Sequence, residues 1–147
     1  MPKKLFAAAI ANFIAFSARL TQSGLVDRSK YFAIRDFRDV FEEVPDPRSR
    51  AYFKQGPRLD VYVPLVGIWI FLCGNFIFAH CRNPPENNGS QGCRKNWKGA
   101  NGFSIERWNF WKKRSGEIKG HDQASEQTKE LAAEVEERMN RIESEAT

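Results

Sequence analysis

His80 and Cys81 are neighbours in this chain, and Cys93 and His121 follow. Two imidazoles and two thiols are a ligand set for tetrahedral zinc. Their spacing is irregular and crosses a stretch rich in Pro, Gly and Asn, so the set reads as incidental. No metal and no cofactor is expected. A Cys–His nucleophile pair meets a geometric objection, since adjacent helical residues point about 100° apart and a working pair must face each other. The cysteines are Cys73, Cys81 and Cys93. An odd count without CxxC argues against a disulfide framework, gives a Cys81–Cys93 bridge little weight, and makes a reducing compartment the default. Gly99-Ala-Asn-Gly102 ahead of Ser104 could seat an anion on free helix amides, helped by Lys98 and Arg107. A tight turn and an ordinary helix start account for the same residues.

The richest chemistry lies in a Trp-containing basic block. Trp97, Phe103, Trp108, Phe110 and Trp111 alternate with Lys95, Lys98, Arg107, Lys112, Lys113 and Arg114. Rings that stack on bases beside cations that meet phosphates are what single-stranded nucleic acid needs. However, Ile105, Trp108 and Trp111 recur at helical spacing, and buried tryptophans with cations on the far face explain the block equally. Core packing outweighs nucleic acid here. The block still supplies the candidate interaction surface, comprising Lys98, Arg107, Trp108, Trp111, Lys112, Lys113 and Arg114. No catalytic signature is present, and no enzymatic activity is expected.

Helices must position these residues. Residues 4–22 have a broad apolar face and many alanines, with Gly24 as the stop. Residues 27–43 form a second amphipathic helix, with Asp27 as N-cap and Ile34, Phe37 and Phe41 on its apolar face. Pro45, Pro47, Gly56 and Pro57 predict a loop over 44–58. A third helix is predicted to start at Asp60, with Pro64 in its first turn, and to end near Arg82 before Pro84-Pro85. Residues 83–102 form a long loop. Ser104 caps a fourth helix over 105–118. A fifth over 123–144 carries Leu131, Val135, Met139 and Ile142 as one stripe, with seven glutamates over 126–145 and residues 144–147 as a frayed tail.

Within the third helix, Val61 to Cys81 runs for twenty-one residues without a formal charge. As a helix it would be roughly 31 Å long, which fits either a bilayer core or the centre of a soluble bundle. Pro64, Gly67, Gly74, Asn75 and His80 notch the run in a way that suits close helix packing. A hydrophobic content of 41% and a mean hydropathy of −0.55 exclude several spans but not one.

The net charge of +5 is unevenly placed, with +5 over residues 1–58, −1 over 59–81, +6 over 82–120 and −5 over 121–147. The acidic last helix is expected to screen the basic middle rather than leave it for an anionic partner. Lys3 and Lys4, followed by an apolar stretch, resemble the start of a signal peptide, with Asn88-Gly-Ser90 as a sequon if the chain is secreted. Asn12, Ser17 and Arg19 interrupt that stretch. An intracellular soluble chain is the default, with membrane and secreted forms as alternatives.

Four blocks resemble one family. They are Asn12-x-x-x-Phe16-x-Ala18-Arg19-Leu20, the helix from Tyr31 to Glu43, the W-K-G…R-W-x-F-W-K block from Trp97 to Lys112, and Glu126 through Glu143. The family is a set of mainly fungal, all-helical proteins catalogued as a domain of unknown function. The resemblance implies a soluble helical fold with Trp69 on the middle helix. It implies no activity and no catalytic residue. Members are usually longer upstream, so the chain reads as a shortened member or truncated gene product whose exposed apolar surface seeks a partner chain.

The combined reading is an all-α, single-domain bundle of about five helices around a central apolar helix over 60–82. Its expected function is non-enzymatic, as a protein-interaction or self-associating module. The alternatives are a single-pass membrane protein spanning 61–81 and a nucleic-acid-binding protein using residues 95–114.

Overall fold

The computed structural model describes residues 3–25, 29–85, 99 and 101–146, with side chains described from Ala8 onward. Five helices account for the regular structure: α1 (Lys3–Ser23), α2 (Lys30–Phe41), α3 (Arg50–Arg82), α4 (Ile105–Ile118) and α5 (Glu126–Glu145). There is no strand among the described residues, so the all-α expectation holds.

The ends of α1 and α4 follow from local chemistry. Gly24 takes a φ of 75°, the left-handed conformation that stops α1 without a Cβ clash. Ser104 is extended, and its Oγ accepts the Arg107 N–H at 3.0 Å to cap α4. Thr21 at the end of α1 shares a 2.6 Å hydrogen bond with Ser29, which ties α1 to the start of α2. The expected Asp27 cap lies outside the described residues.

The third helix departs from expectation. It begins at Arg50, ten residues before Asp60, and continues through both Pro57 and Pro64. Ser49 is the N-cap, with its Oγ accepting the Tyr52 N–H at 3.3 Å. Gly56 eases the passage of Pro57, although α3 also continues past Pro64 after Val63. A proline ring pushes against the Cβ of the residue before it, and glycine has none, so the helical conformation survives. The same glycine permits a close approach, since a Cβ there would overlap the carbonyl oxygen of Gln123.

Asp60, expected as the cap of α3, instead braces the start of α5, whose N-cap is Ser125. The Asp60 Oδ1 accepts the Ser125 N–H at 2.9 Å and the Thr128 hydroxyl at 2.6 Å. Burial works against its charge, but the bonds from Thr128 and Ser125 outweigh it and hold the carboxyl below the usual carboxylate range.

Helix α3 is the hub. The other four pack against it, and their mutual contacts run α1 to α2, α2 to α4 and α4 to α5. Trp69, Val66, Ile70, Cys73 and Ile77 of α3 are all buried. Gly67 and Gly74, seven residues apart, face α5. A Cβ on Gly74 would lie 2.5 Å from Ile142, so the crossing is close because side chains are absent there. On α5, Val135, Met139 and Ile142 are buried as expected, joined by Ala132.

Candidate interaction site

The Trp-containing block faces inward. Arg107, Trp108 and Trp111 are each 0% exposed and Arg114 is 6% exposed. The spacing 107, 111, 114 puts three of these on one side of α4, against the end of α2. There the Arg107 guanidinium meets the Glu42 carboxylate in a two-point pair, with Nε to Oε2 at 2.7 Å and Nη2 to Oε1 at 2.9 Å. The Trp111 indole N–H donates to the same Oε2 at 2.7 Å, and Arg107 also donates to the Gly102 carbonyl at 3.2 Å. Arg114 donates to the carbonyl oxygens of Phe41 at 3.0 Å and Glu43 at 3.2 Å, orphan acceptors at the end of α2. The cations expected to face phosphate therefore fasten α4 to α2.

The rest of the expected surface divides. Lys112 reaches Glu143 at 2.5 Å, beside the Trp108 indole, which donates to the other oxygen of that carboxylate at 3.2 Å. Lys113 is exposed and lies 3.8 Å from Glu117. Lys119 pairs with Glu136 at 2.6 Å, so the acidic last helix does meet the basic fourth. Lys98, with Lys95, Trp97 and Cys93, lies outside the described residues. Of the expected anion turn only Ala100 is outside the described residues; Gly102 takes a φ of 77°, and its carbonyl and Glu42 already hold Arg107.

Of the four zinc-type residues, Cys93 lies outside the described residues, and His80 and His121 are far apart. His80 Nδ1 donates to the Phe76 carbonyl at 3.0 Å near the end of α3. His121 contacts Gln55 near the start of α3, roughly 37 Å away along the helix. Among the described residues no group of His, Cys, Asp or Glu is arranged to hold a metal ion. Burial pushes the Cys73 and Cys81 thiols up to about 12, which makes them inert as nucleophiles.

His121 has a structural role that its hydrogen bonds define. Its ring stacks on Tyr52 with centroids 3.8 Å apart. Its Nδ1 accepts the Gln123 N–H at 3.3 Å, which leaves Nε2 to donate to Gln55 Oε1 at 3.1 Å. Gln55 in turn donates to the Glu43 carbonyl at 2.9 Å. Burial holds the His121 pKa below its ordinary value. Below the ordinary histidine pKa of 6.5 the unfolded chain then binds a proton that the folded chain refuses. Stability from this group is complete above that value and is lost as pH falls through it. The thermal midpoint is expected to drop between about pH 7 and 5 by more in the native chain than in His121→Gln, which lacks the titrating group. Equal pH profiles for the two proteins would contradict the assignment.

The feature that the fold leaves unfinished lies elsewhere. Among the described residues the helices around α3 touch in the order α1, α2, α4, α5, but α5 and α1 do not meet. The side of α3 beneath that seam carries Val61, Ile68, Leu72, Asn75 and Ala79, spaced to fall on one stripe. Val61 is 51% exposed and Leu72 38% exposed, with Ile68 half-buried between them. The stripe contains no charge over about 27 Å of helix. Alanines on α1, Ala8, Ala11 and Ala15, are likewise exposed or half-buried.

A family model described as Protein of unknown function (DUF3632) matches residues 3–115. The chain belongs to that family. The match takes in α1, α2, α3 and α4 as far as Ser115, and α5 lies beyond it. No curated protein and no solved structure matches the chain. Within this DUF3632 domain, the Glu42–Arg107–Trp111 clamp and the uncharged stripe of α3 lie inside the matched span, whereas α5, one wall of the seam, does not.

Sequence reasoning missed the seam and missed Glu42. Glu42 gave no signal, because it stands beside Glu43 at the end of an amphipathic helix where glutamates are common. The seam did leave a trace in the apolar letters of α3. Which of them stay uncovered depends on which two neighbours fail to meet.

Proposed function

We propose that this DUF3632 protein is a non-enzymatic interaction module that self-associates by packing a second copy into the seam between α1 and α5. The observation that carries this reading is the uncharged stripe Val61–Ile68–Leu72 on a helix otherwise enclosed on three sides. Water against such a stripe costs about 25 cal/mol per Å² of apolar surface, which a second copy would recover. A stripe without charges is also self-complementary, as a twofold contact requires, since no like charges meet when two copies face each other.

A single membrane span over 61–81 is the competing reading. Helix α3 is the one helix among the described residues long and apolar enough to cross a membrane. Insertion would strip Trp69, Val66 and Ile70 of their packing and part Gly74 from Ile142, so the soluble module is favoured. A nucleic-acid role is disfavoured because Arg107 and Arg114 are spent inside the protein.

Light scattering over a concentration series tests the proposal. The native chain is expected to move from monomer to dimer, and Val61→Glu with Leu72→Glu to weaken association at least about tenfold. Both positions are exposed enough for the variant to keep the native circular dichroism. A chain that stays monomeric throughout, or a variant that associates like the native protein, would overturn it.

A further inference from the structure

On the opposite side of α1 from the seam, an open cavity of about 540 Å³ lies between α1, α2 and α3. Its walls are mostly apolar, from Ile10, Ile14 and Leu65, with Phe13 and Tyr62 as rings at its mouth. Phe13 is 53% and Tyr62 41% exposed. Its polar side is α2, with Arg35, Asp36 and Asp39. The volume falls in the range of small-molecule sites, roughly 300–1,000 Å³.

Asp36 sets the chemistry. Its side chain is 12% exposed. It is fixed from behind by the Trp69 indole N–H, which donates to Oδ2 at 2.8 Å, and flanked by Arg35 Nε at 3.3 Å from Oδ1. Burial raises its pKa, against the opposing effects of Trp69 and Arg35, so the carboxylate is short of solvation in this cavity. The Arg35 guanidinium is half outside, lying over the Phe32 ring at 5.2 Å. The Asp36 carboxylate therefore shares the cavity wall with the half-exposed Arg35 guanidinium and the Asp39 carboxylate, beside two exposed aromatic rings.

We propose that this cavity binds an organic cation with an apolar body, its ammonium group directed at Asp36 and Asp39 and flanked by the rings of Phe13 and Tyr62. A cation gains from the carboxylates and from the ring faces, whereas an alcohol of the same shape gains only apolar burial. A carboxylate ligand meets like charge. Arg35 competes with the ligand for Asp36, so its removal favours binding. The cavity is separate from the seam, and this proposal stands or falls independently of self-association.

Three probes of matched shape test it: 4-phenylbutylamine, 4-phenylbutanol and 5-phenylpentanoate. The readout is the Trp69 indole N–H resonance, assigned by its loss in Trp69→Phe, with the sample kept monomeric by Val61→Glu and Leu72→Glu if the native chain dimerises. The amine is expected to shift that resonance and to bind about tenfold tighter than the alcohol, with the carboxylate weakest. Asp36→Asn keeps an acceptor for Trp69 and is expected to bring the amine down to the alcohol's affinity. Arg35→Gln is expected to tighten the amine alone. Should Asp36→Asn fail to fold, Asp39→Asn and Arg35→Gln carry the test, with opposite effects on the amine. Equal affinity for amine and alcohol, preference for the carboxylate, or no shift with any probe at millimolar concentration would overturn the proposal.

Discussion

Replacing Glu42 by alanine is expected to lower the unfolding free energy by about 3–5 kcal/mol. Glu42 and Arg107 are both fully buried, joined at 2.7 and 2.9 Å, and the Trp111 indole donates to the same carboxylate. Removing the carboxylate leaves a guanidinium without its counter-charge in a dry site. For a chain with about 5–15 kcal/mol in total, that is a large share, and the thermal midpoint should fall on the order of 10–20 °C. Removing both partners should cost less than removing one. Glu42→Leu combined with Arg107→Met deletes the charges together, so urea denaturation should find it more stable than Glu42→Ala. A loss below about 1 kcal/mol for Glu42→Ala would mean that the pair is not held as described.

The second large effect is expected at Trp69. The residue is 0% exposed at the middle of the hub helix, and its indole donates to Asp36 at 2.8 Å. Trp69→Ala should cost about 3–5 kcal/mol through the cavity it opens. Trp69→Phe keeps most of the ring volume but removes the donor to Asp36, and should cost about 1–3 kcal/mol. The difference between the two variants separates packing from hydrogen bonding. If Trp69→Phe cost as much as Trp69→Ala, the bond to Asp36 would outweigh the packing, contrary to the burial.

What could be read from the sequence was local. The Gly24 stop and the Ser104 cap depend on residues within a few positions of each other, and both stand where expected. So does the α5 stripe, because a period near 3.6 needs no knowledge of a partner. The start of α3 was illegible for an equally physical reason. Gly56-Pro57 signals a break, and it is overridden by Gly56 itself, whose missing Cβ both tolerates the proline and admits Gln123. Asp60 was recognised as a helix-start residue, but the helix start it braces is at Ser125, 65 residues later. The Trp-containing block was the hardest to orient. Its letters fit an outward face as well as an inward one. The deciding partner, Glu42, lies 65 residues before Arg107, with nothing in its own neighbourhood to mark it.

The functional claim turns on which face of this DUF3632 protein meets another molecule. Sedimentation equilibrium of three proteins decides it: the native chain, Leu72→Glu in the seam, and Lys113→Glu on the exposed edge of the Trp-containing block. The seam predicts that the native chain and Lys113→Glu form dimers of the same strength, while Leu72→Glu remains monomeric at the same concentrations. Dimers lost in Lys113→Glu but kept in Leu72→Glu would contradict it and return the interaction surface to α4.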